Sequence, residues 1–347
     1  MNRRAVSNGR RFIPQSCESR IMTTLQEPPT AAVAEMPGLK PPREIVRRKR
    51  QRSLSSWVRG GGLSTLVFVL PMLFVFGIFS WSPIVQSLIM SVQKTNLITT
   101  EFVGLDNFVN VLTDPNLGRA VINTLYFAGL ALILGFPLPL LLAVLMSEVK
   151  RGKGLYSALA YLPVVVPPVV AVLLWKFFYD ASPTGVFNTA LGWIGIAPQT
   201  WLQSADTAMP SLVLEATWAA AGGSIIIYLA ALLSVPPELY DAAEVDGATV
   251  WRKIWHVTLP QLRGVIFIML ILQVIGTAQV FLEPFLFTGG GPNKATTTVL
   301  LLIYQYAFQN SLGGNYGEAT ALSVMLAVVL GLLSYLYFRV TNRWSTS

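Results

Sequence analysis

Charge is scarce in this sequence: 12% of its 347 residues are Asp, Glu, Lys or Arg, against roughly 25% in an ordinary soluble domain. Cysteine and histidine are nearly missing, with one of each, Cys17 and His256. One cysteine closes no internal disulfide, and one isolated histidine gives no metal-ligand spacing, so metal chemistry and Cys/His catalysis are excluded. A Gly-x-x-x-x-Gly-Lys-Ser/Thr phosphate loop is also lacking. The chain is therefore not expected to hydrolyse ATP by itself.

What is abundant is apolar: 53% of the residues. A bilayer crossing takes about 20 apolar residues in a helix. Six runs are long enough: Leu63 to Ile89, Ala120 to Met146, Leu155 to Phe178, Pro210 to Leu233, Val265 to Phe287 and Ala319 to Val340. Each is read as a spanning helix, giving an all-α membrane protein with six transmembrane helices. Pro71, Pro83, Pro137, Pro139, Pro163, Pro167 and Pro168 fall inside these runs. Neighbouring helices or cavity water satisfy the carbonyls that proline frees, so kinked spans are expected.

The net charge of +8 is less informative than its placement. Of 25 Lys and Arg, 13 lie in residues 1 to 60. Lys150, Arg151, Lys153, Arg252, Lys253, Arg263, Arg339 and Arg343 fall in segments that six crossings put on the same side. Lys94, Arg119, Lys176 and Lys294 remain for the other. The positive-inside rule puts both termini in the cytoplasm. Nucleic acid explains none of this alternation and is not an expected partner.

Residues 1 to 60 are polar, Pro- and Arg-rich and end in REIVRRKRQRS. They read as a disordered basic cytoplasmic tail beside anionic lipid headgroups, without the apolar core of a cleaved signal peptide. Met1 and Met22 both stand as candidate starts of translation, Met22 because RRFIPQSCESR before it carries nothing recognisable. Residues 61 to 347 form one membrane domain. Its outer loops, about 91 to 118, 179 to 208 and 288 to 316, carry turn signals such as Ser182-Pro183 and Gly289-Gly290-Gly291-Pro292. None is long enough for an outer domain of ordinary size.

The connection between the fourth and fifth runs, 234 to 263, is longer than a turn needs. Pro236-Pro237 stop the fourth span, and Glu238 and Asp241 fall in a first turn that favours negative charge. A short helix is predicted from Glu238 to Asp246. Leu239, Ala242, Ala243 and Asp246 share one face of it, and Gly247 suits a left-handed stop. A second, amphipathic helix is predicted over Thr249 to Thr258, with Trp251 and Trp255 suited to a membrane interface and Leu259-Pro260 ending it. Helical periodicity alone is equally compatible with an inert linker lying on the bilayer.

The spacing Asp241-Ala242-Ala243, three residues, Gly247, nine residues, Val257, one residue, Leu259-Pro260 resembles the EAA loop of membrane subunits of ABC importers. The family pattern has Glu where this chain has Asp241 and Ile where it has Val257. FVGLDNF at 102 to 108, LTDP at 112 to 115, NTL at 123 to 125 and FTGGGPNKATTTVLLLIYQYAFQN at 287 to 310 extend the likeness to permeases of the maltose, lactose and glycerol phosphate uptake type. The resemblance implies the MetI-like type I importer fold in a bacterial inner membrane. It also implies a second, related permease subunit, an extracytoplasmic solute-binding protein and a pair of ATPase subunits that bind ATP and Mg. Glu238, Asp241, Ala242, Ala243, Asp246, Gly247, Leu259 and Pro260 would then couple this chain to the ATPase.

For the solute path, Gly276, Gln279 and Glu283 share one helical spacing, and Glu215, Trp218 and Gly222 another. Intramembrane acids face a cavity or a partner, and an aromatic ring beside acceptors suits a pyranose. These residues also suit bonding between neighbouring helices. An ion-coupled secondary transporter is the main rival, expected to show inverted repeats and central ionisable groups. A membrane enzyme would need clustered acids, bases or metal ligands, and none is found.

Overall fold

A computed structural model describes residues 63–96, 98–149, 151–309 and 314–345. The expected tail, with Cys17 and Met22, lies outside the described residues. Contacts divide the chain into Met1–Phe68 and Val69–Ser347. Of the first unit, residues 63–68 are described, as the opening turns of helix α1 (Leu63–Phe76).

Among the described residues, five continuous helices are long and apolar enough to cross a bilayer. The first, Ser64–Ser91, runs from α1 through a π turn at Gly77–Trp81 into α2 (Ser82–Ser91). The second, Pro115–Glu148, joins α4 (Pro115–Leu134) to α5 (Pro137–Glu148) through Gly135, and Asp114 caps it by accepting from the Asn116 N–H at 2.8 Å. The fourth run is α9 (Ala205–Leu233) and the sixth is α14 (Tyr316–Ser345).

The third run is not one rod. Helices α6 (Lys153–Val165) and α7 (Pro168–Phe178) meet at 100°. Val166 and Pro167 between them are extended, because a residue before proline is driven out of the helical region and two prolines follow in succession.

The expected break at Leu259-Pro260 is absent. Helix α11 (Val250–Lys253) passes through a π turn at Ile254–Thr258 into α12 (Leu259–Ala278), making one 29-residue helix, Val250–Ala278. Proline in a helix lacks an N–H and drives its ring at the carbonyl four residues back. Here the Leu259 N–H bonds the Ile254 carbonyl, five residues back, and the widened turn accommodates Pro260. The same device precedes Pro83, where the Ser82 N–H reaches the Gly77 carbonyl.

Lipid tails are as apolar as leucine, so close fit and hydrogen bonds, not water expulsion, hold spanning helices together. Helix α9 packs on α4, α5, α6, α7 and α12. At Gly222 a β-carbon would lie 2.4 Å from the Ala160 carbonyl on α6, so the backbones touch. Met209, Leu212 and Val213 on α9 are buried with Trp175 of α7, while Ile225 and Tyr228 are buried with Leu262 of α12.

The stretches read as outer loops are largely folded. Strands β1 (Gln93–Thr95) and β2 (Thr100–Phe102) form an antiparallel hairpin with Lys94 opposite Glu101. Helices α3 (Asp106–Thr113), α8 (Val186–Trp193) and α13 (Val299–Phe308) follow. Asn107 is buried and donates to the carbonyls of Ser91 and Gln93, both at 2.9 Å. Asn123 donates to those of Lys294 at 2.8 Å and Thr297 at 2.9 Å. Tyr306 donates to Asp114; burial, and then that bonded carboxylate, pushes its phenol above the ordinary value.

Candidate functional site

Two features stand out in Val69–Ser347: an exposed helix between the fourth and fifth spans, and a largely apolar cavity between them into which a few polar residues are set.

The exposed helix is α10 (Pro237–Val245), with Pro237 and Glu238 in its first turn. The Gly247 N–H bonds the Glu244 carbonyl at 3.0 Å and the Ala248 N–H bonds that of Ala243 at 2.9 Å. With φ of +70° at Gly247, this is a Schellman stop. A β-carbon at Gly247 would meet nothing within 4 Å, so the backbone conformation, not crowding, calls for glycine there. No residue of α10 is buried. Glu238, Asp241, Ala242, Asp246 and Gly247 are exposed, Ala243 is half-buried, and Val245 is 88% exposed.

Two contacts hold α10 against the chain that follows. Lys253 Nζ meets Glu244 Oε1 at 2.7 Å, and the Tyr240 and Thr258 hydroxyls are 3.2 Å apart. Thr249 caps α11, accepting from the Arg252 N–H at 3.4 Å. Leu259 is half-buried and Pro260 exposed within the continuous helix. The unit is thus a rigid projection tied to the base of a long helix.

The cavity has a volume of about 510 Å³. Its polar lining comes from α9 (Thr217, Ser224) and α12 (Gln273, Thr277). Gly135, between α4 and α5, also lines it, and a β-carbon there would lie 3.0 Å from Thr217 Oγ1 and 3.5 Å from Gln273 Nε2. The two polar groups therefore converge on a position that carries no side chain. Thr217 is 8% exposed, and its hydroxyl has no hydrogen-bond partner among the described residues.

The strip expected on the fifth span is not a helical strip. Helix α12 ends at Ala278 and Gln279 is its cap, where the Gln279 and Val280 N–H groups turn back to Gly276 and Thr277. The chain enters a further π turn at Pro284–Thr288. Gly276, Gln279 and Glu283 nevertheless all line the cavity. On α9, Glu215 and Trp218 lie outside its lining. Trp218 packs on Trp175, ring centres 5.6 Å apart. Glu215 is 2% exposed, with Oε2 unpartnered among the described residues, and lies within electrostatic reach of Glu283.

A profile of the family described as "Binding-protein-dependent transport system inner membrane component" matches residues 135–345. The chain belongs to this family. It is a multi-pass inner-membrane permease component of an ABC importer, which sets aside the ion-coupled transporter, and its family is a non-catalytic one. The arabinooligosaccharides transport system permease protein AraP of Halalkalibacterium halodurans is 32% identical over 84% of this permease and 92% of its own length. The sn-glycerol-3-phosphate transport system permease protein UgpA of Yersinia pseudotuberculosis is 33% identical over 80% and 94%. Among solved structures, a bacterial alginate ABC transporter, crystallised with an alginate pentasaccharide-bound periplasmic protein, superposes with a TM-score of 0.75 at 29% identity. That match covers 86% of this permease and 99% of the other chain.

Sequence reasoning missed Thr217, Ser224, Gln273 and Thr277 of the permease. Hydroxyls and an amide inside an apolar run carry weak signals individually. Only the crossing of α9 and α12, which spacing along either helix does not give, brings them to one cavity.

Proposed function

We propose that this permease carries a sugar or a related oligosaccharide or polyol across the membrane by alternating access, with α10 docked in a cleft of a separate ATPase. The observation that carries the reading is α10 itself: small residues, an acid and a left-handed glycine in the EAA spacing, exposed on a helix held to the following chain through Tyr240 and Glu244.

Asp241 pairs with a basic group of the ATPase, Ala242 and Ala243 permit close approach, and Gly247 turns the chain back to the membrane. Glu238 starts the helix, Asp246 caps it, and Leu259 and Pro260 seat the following rod. ATP and Mg are bound by the ATPase, since the sequence carries no phosphate loop. The clustering of Lys and Arg supports a cytoplasmic side for both termini and for α10. A second, related permease subunit completes the pathway, as the resemblance implies; an extracytoplasmic binding protein delivers the solute, which the family description and the alginate assembly with its periplasmic protein support.

Gln279 and Glu283 line the solute path, and Glu215 and Trp218 support its wall from behind. The relatives serve arabinooligosaccharides, sn-glycerol-3-phosphate and the acidic polysaccharide alginate, so carbohydrate and its derivatives are the expected class. The test is copurification of the full chain with its ATPase from the source membrane. Wild type is expected to bring down nucleotide-hydrolysing activity. Gly247→Asp is expected to insert at equal abundance while solute uptake is lost. Normal uptake by that variant at normal abundance overturns the coupling role.

A further inference from the structure

The solutes named for the relatives fall into two charge classes, neutral and anionic, so kinship leaves open which one this chain passes. The cavity does not. We propose that this chain's side of the cavity accepts uncharged carbohydrate and turns away anionic solutes, phosphate esters and uronates included; the inference rests on reading the cavity as the solute path.

A space of about 510 Å³ is within the range of small-molecule sites. Its polar lining, Thr217, Ser224, Gln273, Thr277 and Gln279, is made of hydroxyls and amides. Both groups donate and accept hydrogen bonds, as a sugar hydroxyl does. Thr217 is the pointed observation: it lines the cavity, and its hydroxyl is buried with no partner among the described residues.

The ionisable lining is one-sided. Glu283 is in it, Glu215 lies within electrostatic reach with one oxygen unpartnered, and no Lys, Arg or His lines the cavity among the described residues. The other bases assigned to that end of the molecule lie outside the lining. Lys176 donates to the Leu286 carbonyl at 3.1 Å, Lys294 to Asn116 Oδ1 at 2.6 Å and Arg119 to the Asn293 carbonyl at 3.2 Å, while Lys94 stands opposite Glu101 on the hairpin. An anion entering would lose its hydration with no cation to replace it. Ionised, the carboxyls repel it in a medium that screens poorly; protonated, they still supply no positive charge.

The test places one thiol in the cavity, Ala220→Cys in a Cys17→Ser background, within the full complex as it copurifies. Its rates with a neutral and an anionic methanethiosulfonate of similar size are each normalised to a free thiol. The anionic reagent is expected to be about ten-fold slower, the low end of the range over which charged clefts alter local ion concentration. Glu283→Lys, or Gln279→Lys at the exposed helix end, is expected to remove that deficit. Equal normalised rates in the parent, or a deficit that neither lysine changes, overturn the proposal. A thiol inert to both reagents, or one that transported solute fails to protect, overturns the solute-path reading instead.

Discussion

Gly247 and Gly222 are both invisible as side chains and are glycines for opposite reasons. At Gly247 space is open and the backbone is left-handed; at Gly222 the backbone is helical and space is missing. Gly222→Val forces α9 from α6 and is expected to cost about 1–3 kcal/mol, as overpacking of close-fitted interiors does, read as a lower melting temperature in detergent. Gly247→Ala places a β-carbon in a left-handed residue, a penalty of about 1–2 kcal/mol. Its effect is expected in uptake at normal abundance, because α10 frays while the spans stay packed. The role of Gly247 as a helix stop was legible in sequence, where a glycine followed a predicted short helix. Gly222 was legible only as a position sharing a face with Glu215 and Trp218; which helix that face meets is a property of the fold. Gln279→Leu removes a neutral hydrogen-bonding group and is expected to raise the half-saturation concentration for uptake about two- to ten-fold, the range of one such bond. Unchanged affinity and rate would remove Gln279 from the path.

Among elements, the apolar runs announced their existence well and their ends poorly. Proline is the reason for much of this, since its effect depends on what precedes it. Pro167-Pro168 after the branched Val166 turns the third run by 100°, while Pro83 and Pro260 pass inside continuous helices because a π turn lies just before each. Helix α13 was read as loop because ten residues are too few to span, yet Val299, Leu301 and Leu302 are buried. Of the motif residues, Asn107 and Asn123 bind backbone carbonyls of other segments, while Asp114 caps its own helix and accepts from the Tyr306 hydroxyl of α13. Asn123→Leu is expected to take the amide donor from the Lys294 and Thr297 carbonyls, leaving that of Lys294 with the Thr297 N–H at 3.3 Å, at a cost of about 1–3 kcal/mol. The segment from Thr288 to Thr298 should then be cut faster in limited proteolysis than in wild type.

For the whole molecule, hydropathy is a one-dimensional property and carried the membrane class well; of the six expected crossings five are continuous helices and the third is a pair bent by 100°. The cavity is a property of two helices crossing, and no single stretch encodes it. The continuity of Val250–Ala278 now has a mechanical meaning. Its lower end is clamped to α10 through Lys253 and Thr258, and its upper turns, Gln273, Gly276 and Thr277, are cavity wall. At 1.5 Å per residue the rod is about 43 Å long, so a tilt of about 5° at the clamp sweeps the far end through about 4 Å, more than the width of a water molecule. Had Pro260 broken the helix, the two ends would be joined by a hinge that absorbs such a tilt. Because the π turn lets proline pass, helical hydrogen bonding runs unbroken from the clamp to the wall.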